Sequence, residues 1–134
     1  MTVAVAHRVS TSSRLVLTEA AREAAHRGTE LHVLHVTASL DLDSQEAYRA
    51  GIFDEVEKVL ADAGIGAIDT KIHLGSGEDE VAATLLALAA DAGAEIIVIG
   101  ARRRSPVGKF LMGSIAQQII LEAPVPVLVV KAAD

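Results

Sequence analysis

The chain predicts an α/β fold, a three-layer α/β/α sandwich built on a five-stranded, mainly parallel sheet. Three observations carry this. Short Val/Leu/Ile runs alternate with longer helical patterns from one end of the chain to the other, and strands separated by helices pair in parallel through right-handed crossovers. Residues 95–100, Glu-Ile-Ile-Val-Ile-Gly, lack polar alternation, as expected of a strand covered by helices on both faces and central in its sheet. Glycines at 28, 64, 66 and 93 close the helical segments, where a left-handed residue is needed.

In chain order, Val3 and Val5 open a first strand that ends near Ala6. The Ser/Thr cluster at 10–13 offers caps for a helix running to about Arg27. Leu31, Val33, Leu34 and Val36 make a second strand, and residues 40–43 open an irregular stretch before a helix from about 44 to 63. Residues 68–74 read as a third strand, Gly75-Ser76-Gly77 as a turn, and 78–92 as an Ala/Leu-rich helix with acidic residues at its positive end. The fourth strand, 95–100, leads through a basic loop to a helix at about 113–122. Pro124 and Pro126 then confine the last strand to an edge or a strand start. No linker or repeat divides the pattern, so residues 1–134 are expected to form a single domain.

Composition narrows the function. A net charge of −6 and three aromatic residues, Tyr48, Phe53 and Phe110, argue against a nucleic-acid partner, which needs positive charge and stacking platforms. The absence of cysteine removes thiol catalysis and thiolate metal sites. No basic, then apolar, leader opens the chain, and its most apolar region, 81–99, is broken by Asp91 and Glu95, so a cytoplasmic protein without a membrane segment is expected. The five histidines show no metal-ligand spacing. His32 and His35 fall on opposite strand faces, and solvated or core-satisfied roles are expected for them, with His7 read as a loop histidine beside the crevice.

Ligands of such sheets bind outside the carboxyl ends of the strands, where strand order reverses. Of the segments that follow the strands, Ala6-His7-Arg8, Thr37-Ala38-Ser39, Gly75-Ser76-Gly77 and the loop after Gly100, the last is the most informative. Gly100 ends a strand, Gly108 lies in the loop and Gly113-Ser114 opens a helix, so backbone amides and a hydroxyl converge on a helix N-terminus suited to phosphate. Arg102, Arg103, Arg104 and Lys109 add positive charge beside it. The alternative reading is that the glycines serve turns, Ser114 caps a helix, and the basic side chains are solvated. Walker A fails because Phe110 follows Gly108-Lys109, and a dinucleotide fingerprint fails because His7-Arg8-Val9 follow the first strand. No catalytic triad or carboxylate pair can be located by spacing.

The stretch EIIVIGARRRSPVGKFLMGSIAQQIILEAPVPVLVVK, residues 95–131, resembles the C-terminal signature of the universal stress proteins. The first strand, the ELHVLHV strand and the chain length agree with that family. The resemblance implies a Rossmann-like fold of the adenine nucleotide alpha hydrolase type. It also implies binding of ATP, or of AMP or ADP, with magnesium accompanying the nucleotide, and a role in stress response. The nucleotide-binding pattern in the family is Gly, two residues, Gly, nine residues, Gly, then Ser or Thr. Here Gly100 and Gly113-Ser114 match, and Arg103 stands in place of the second glycine. At the end of strand one the family commonly reads Val-Asp-Gly-Ser, whereas this chain reads Val5-Ala6-His7-Arg8, so the acid is replaced by Ala6. The nucleotide-contacting positions implied are Ala6, Val36, Gly100, Arg102, Arg103, Gly113, Ser114 and Ile115.

The resemblance further implies a homodimer through the last strand, where Val125 to Val130 offers an apolar edge that antiparallel pairing would protect. Three functions follow. The first is a nucleotide-binding regulatory module. The second is a dimeric interaction protein that lost the nucleotide through Ala6 and Arg103. The third is a weak ATPase, for which no base or metal-binding carboxylate is evident near the loop.

Overall fold

The computed structural model describes residues 2–8, 13–38, 40–102 and 112–132. Five strands, β1 (Thr2–Ala6), β2 (Glu30–Thr37), β3 (Thr70–Ser76), β4 (Ala94–Arg102) and β5 (Val127–Ala132), form one sheet in the order β3-β2-β1-β4-β5. Every neighbouring pair is parallel. Helices α1 (Ser13–Arg27) and α2 (Leu42–Asp62) pack on one face, and α3 (Val81–Asp91) and α4 (Ser114–Glu122) on the other. This division follows from handedness. The chain steps from β1 through β2 to β3 in one direction and then returns past β1 to β4 and β5. Right-handed crossovers therefore place the first two helices on one face and the last two on the other.

Alternation along the strands feeds two cores. Val3 and Val5 of β1, Leu31 and Val33 of β2, and Ile96 and Val98 of β4 join Val16, Leu17, Ala20 and Ala24 of α1 and Ile52, Val56 and Val59 of α2. Ala4, Leu34, Ile97 and Ile99 point the other way, onto Ala82, Leu85 and Ala89 of α3 and Ala116 and Ile119 of α4. The middle strand is β1, not β4 as its longer apolar run suggested. Val3, Ala4 and Val5 are fully buried, but so short a strand leaves little pattern to read. β4 remains an inner strand buried on both faces, and β5 takes the edge, with Pro124 and Pro126 lying before its first residue.

The helix ends follow local chemistry. After α1, Gly28 adopts φ +61°, its amide bonds Ala25 O at 3.2 Å, and the next amide, of Thr29, bonds Ala24 O at 3.0 Å. Gly64 closes α2 in the same way, with Ile65 N on Leu60 O. α2 starts two residues earlier than its pattern suggested, because the Asp41 carboxylate accepts from the Ser44 amide at 2.9 Å and caps it.

The expected turn at Gly75-Ser76-Gly77 is displaced. Gly75 and Ser76 belong to β3, and the chain turns at Gly77, with φ +140°. A Cβ on Gly75 would stand 2.8 Å from Thr84 Cγ2 of α3, so this glycine serves close strand–helix packing. The expected helix at 78–92 opens as a 3-10 turn, Glu78–Glu80, before α3.

Candidate functional site

Strand order reverses between β1 and β4, so the crevice lies at their carboxyl ends. Val5 of β1 pairs with Val98 of β4, and β4 continues beyond β1 through Gly100, Ala101 and Arg102. On the α3/α4 face of this edge, Ala6, Val36, Met112 and Ile115 are half-buried side chains packed against one apolar cluster. α4 begins beside them. Gly113 is its N-cap residue with φ −68° and ψ 162°, and no side-chain capping bond is found among the described residues. Gly113 O accepts from Gln117 N at 3.0 Å, and Ser114 is exposed in the first turn. The first amides of a helix have no intrahelical acceptor, and together with the dipole they favour an anion.

Three of the eight positions singled out in the sequence, Ala6, Val36 and Ile115, thus pack against the same apolar cluster, and Gly113 and Ser114 form the helix start that leads into Ile115. Gly100 faces the other way. A Cβ there would stand 2.8 Å from Val16 Cγ2 of α1, so tight packing on the α1 side accounts for the glycine without a ligand. Arg102 ends β4, whereas Arg103, Arg104, Gly108 and Lys109 lie outside the described residues.

Val36 and Ile115 are apolar, the first amides of α4 point out of the helix start, and Ala6 brings no carboxylate. Among the described residues, no group of three His, Asp or Glu side chains could hold a metal ion.

Sequence reasoning missed two features of the same edge. Thr37, at the end of β2, is 4% exposed, and its hydroxyl has no hydrogen-bond partner among the described residues. On the α1/α2 face, His7 lies just past the end of β1, as expected of a loop histidine, and is buried in a polar cluster. Its amide extends the sheet to Leu34 O at 2.8 Å. His7 Nε2 lies 2.7 Å from Glu55 Oε1, His7 Nδ1 lies 3.0 Å from His35 Nδ1, and the Ser13 hydroxyl donates to Glu55 Oε2 at 3.0 Å. Burial pushes the His35 imidazole below its ordinary range and the charge of His7 pushes it further, while a hydrogen bond with the His7 backbone and the charge of Glu55 oppose both. The signal was available: His7 and His35 stand where the alternation of β1 and β2 points toward α2.

The remaining strand histidines are core-satisfied, as expected. His32 is buried, stacked on His73 with Nδ1 at 2.7 Å from His73 Nε2, and its own Nε2 meets Glu30 Oε1 at 3.0 Å.

The universal stress protein family model matches residues 1–131. The chain belongs to the universal stress protein family. A curated member, the universal stress protein of Mycolicibacterium smegmatis, is 36% identical over 129 residues, 96% of each chain. Among solved structures, a universal stress protein from Archaeoglobus fulgidus superposes with a TM-score of 0.75 at 31% identity, covering 96% of this chain and 97% of that one. A second from the same organism, in complex with dAMP, gives a TM-score of 0.69 at 26% identity over 96% of both chains. The fold expected from sequence is therefore the family's fold. No helix among the described residues is long and apolar enough to cross a membrane.

Proposed function

We propose that this universal stress protein is a regulatory module of the stress response that binds an adenine nucleotide at the carboxyl edge of its sheet. The observation that carries the reading is the N-terminus of α4, where no side-chain capping bond is found among the described residues, on the same face of the sheet as the apolar side chains of Ala6, Val36 and Ile115 near the switch point. The base rests on Val36 and Ile115, and the phosphate meets the amides of Ser114 and Ile115 and the Ser114 hydroxyl, with Arg102 and Arg103 adding positive charge. The dAMP complex of a structural neighbour supports a nucleotide of the AMP type, and ATP and ADP are tested beside it. Magnesium, where it takes part, is held by phosphate oxygens and water, since Ala6 replaces the acid.

The module acts as a homodimer through β5. That strand is an open parallel-sheet edge with half-buried Val127, Leu128 and Val129, and on α4 beside it Leu121 is 83% exposed. Light scattering at micromolar concentration is expected to give twice the chain mass, and a monomeric mass contradicts the dimer.

Calorimetry with AMP, ADP and ATP, with and without magnesium, tests the nucleotide. Heat and a thermal shift with at least one of them are expected, both weakened by Ser114→Ala. No heat and no shift at millimolar nucleotide contradict the proposal. A second reading, a dimeric interaction protein without nucleotide, is favoured by one specific observation, that Val16 packing already accounts for Gly100. Hydrolysis, the third reading, is followed by product analysis over hours in the same samples.

A further inference from the structure

On the opposite face of the sheet from the nucleotide surface, His7, His35, Ala47, Tyr48, Gly51, Ile52 and Glu55 line a pocket of about 230 Å³. Its polar groups form a chain: Ser13 hydroxyl, Glu55 carboxylate, His7 imidazole, His35 imidazole. We propose that this chain is a proton-binding site that takes up one proton from the pocket at His35 and holds it on His7 against Glu55.

The tautomers follow from the contacts. An ionised Glu55 only accepts, so His7 must carry its hydrogen on Nε2, 2.7 Å away. His7 Nδ1 is then a lone pair, and His35 must donate to it from Nδ1 across 3.0 Å. This leaves a lone pair on His35 Nε2. Among the described residues that nitrogen has no side-chain hydrogen bond, and His35 lines the pocket.

When a proton adds at His35 Nε2, the Nδ1 hydrogen passes to His7 Nδ1. His7 becomes an imidazolium between Glu55 and a neutral His35, so one N–H bond forms at the pocket, one moves across the pair, and the new charge sits next to a carboxylate. A second proton is refused, because two N–H groups would then face each other across 3.0 Å. The groups that face His35 are His7 from the end of β1 and Glu55 and Tyr48 from α2, the Tyr48 ring centroid lying 5.2 Å from that of His35. α1 contributes Ser13, which fixes the far oxygen of Glu55. The site thus ties the carboxyl ends of β1 and β2 to α2 through a contact that changes charge.

Nitrogen-15 NMR of the histidine rings across pH tests the proposal on the wild-type chain, with Glu55→Gln as the variant. At high pH the hydrogens are expected on His7 Nε2 and His35 Nδ1. On acidification one proton enters the pair, and His7 takes the imidazolium pattern while His35 stays neutral. Glu55→Gln lowers the midpoint of this uptake by about one pH unit or more. A high-pH hydrogen on His35 Nε2, uptake of two protons by the pair in the folded protein, or a midpoint unmoved by Glu55→Gln overturns it. The wild-type tautomers decide the matter if the variant does not fold.

Discussion

The two faces of the sheet's carboxyl edge are built from adjacent residues and carry opposite chemistry. Ala6 and Val36 turn to the α3/α4 side, His7 and His35 to the α1/α2 side. The first side has small apolar side chains and backbone amides, whose partial charges are fixed by the helix and do not titrate. The second has two imidazoles and a carboxylate in direct contact. A one-residue step along a strand thus separates the proposed main-chain anion surface from the proposed side-chain proton site.

The largest stability effects are expected where both faces depend on the core. Leu34, fully buried under α3 and α4, is expected to cost about 2–5 kcal/mol as Leu34→Ala, measured by denaturant unfolding. Gly100→Ala comes next, at about 1–3 kcal/mol, because its Cβ would press on Val16 Cγ2. Val16→Ala in the same chain should relieve part of that cost. Lost nucleotide affinity with unchanged stability would instead assign Gly100 to the ligand.

Acidification should act on both faces. His35 and His73 both titrate below the ordinary imidazole value, chiefly through burial. The unfolded chain therefore binds protons that the folded chain resists. Stability is full above about pH 6.5, the unfolded value, and falls as pH drops below it. Glu30 adds to the loss at lower pH, since its hydrogen bond to His32 holds its carboxyl below the usual range. A melting temperature flat from pH 7.5 to 5.5 contradicts this. The smallest effects belong to Thr37→Val and Ser114→Ala. Thr37→Val removes a hydroxyl that already lacks a partner among the described residues, so stability should hold or rise by up to about 1 kcal/mol. Ser114→Ala, at an exposed position, should stay within about 0.5 kcal/mol while weakening nucleotide binding.

Much of this was legible in the sequence. Alternation of strands and helices, the apolar run of β4, and the glycines after α1, α2 and α3 each have a local cause, and they specified the layers and the edge position of β5. The middle strand was not legible, because order in a parallel sheet is set by packing between distant segments. Gly75 and Gly100 read as turn and ligand glycines, since sequence does not reveal that Thr84 and Val16 fill the space a Cβ would take. The histidine cluster was hidden for a similar reason. His7, His35 and Glu55 are far apart in sequence, and only the right-handed return of α2 brings the carboxylate over the ends of β1 and β2.

The central claim, that the main-chain face holds the nucleotide, is tested most directly by mapping amide shifts while AMP is added to the labelled protein. The expected result is saturable change at Ser114 and Ile115 and at Ala6 and Val36, with His7 and His35 unmoved. Change centred on His7, His35 and Tyr48, or none at millimolar AMP, would contradict it.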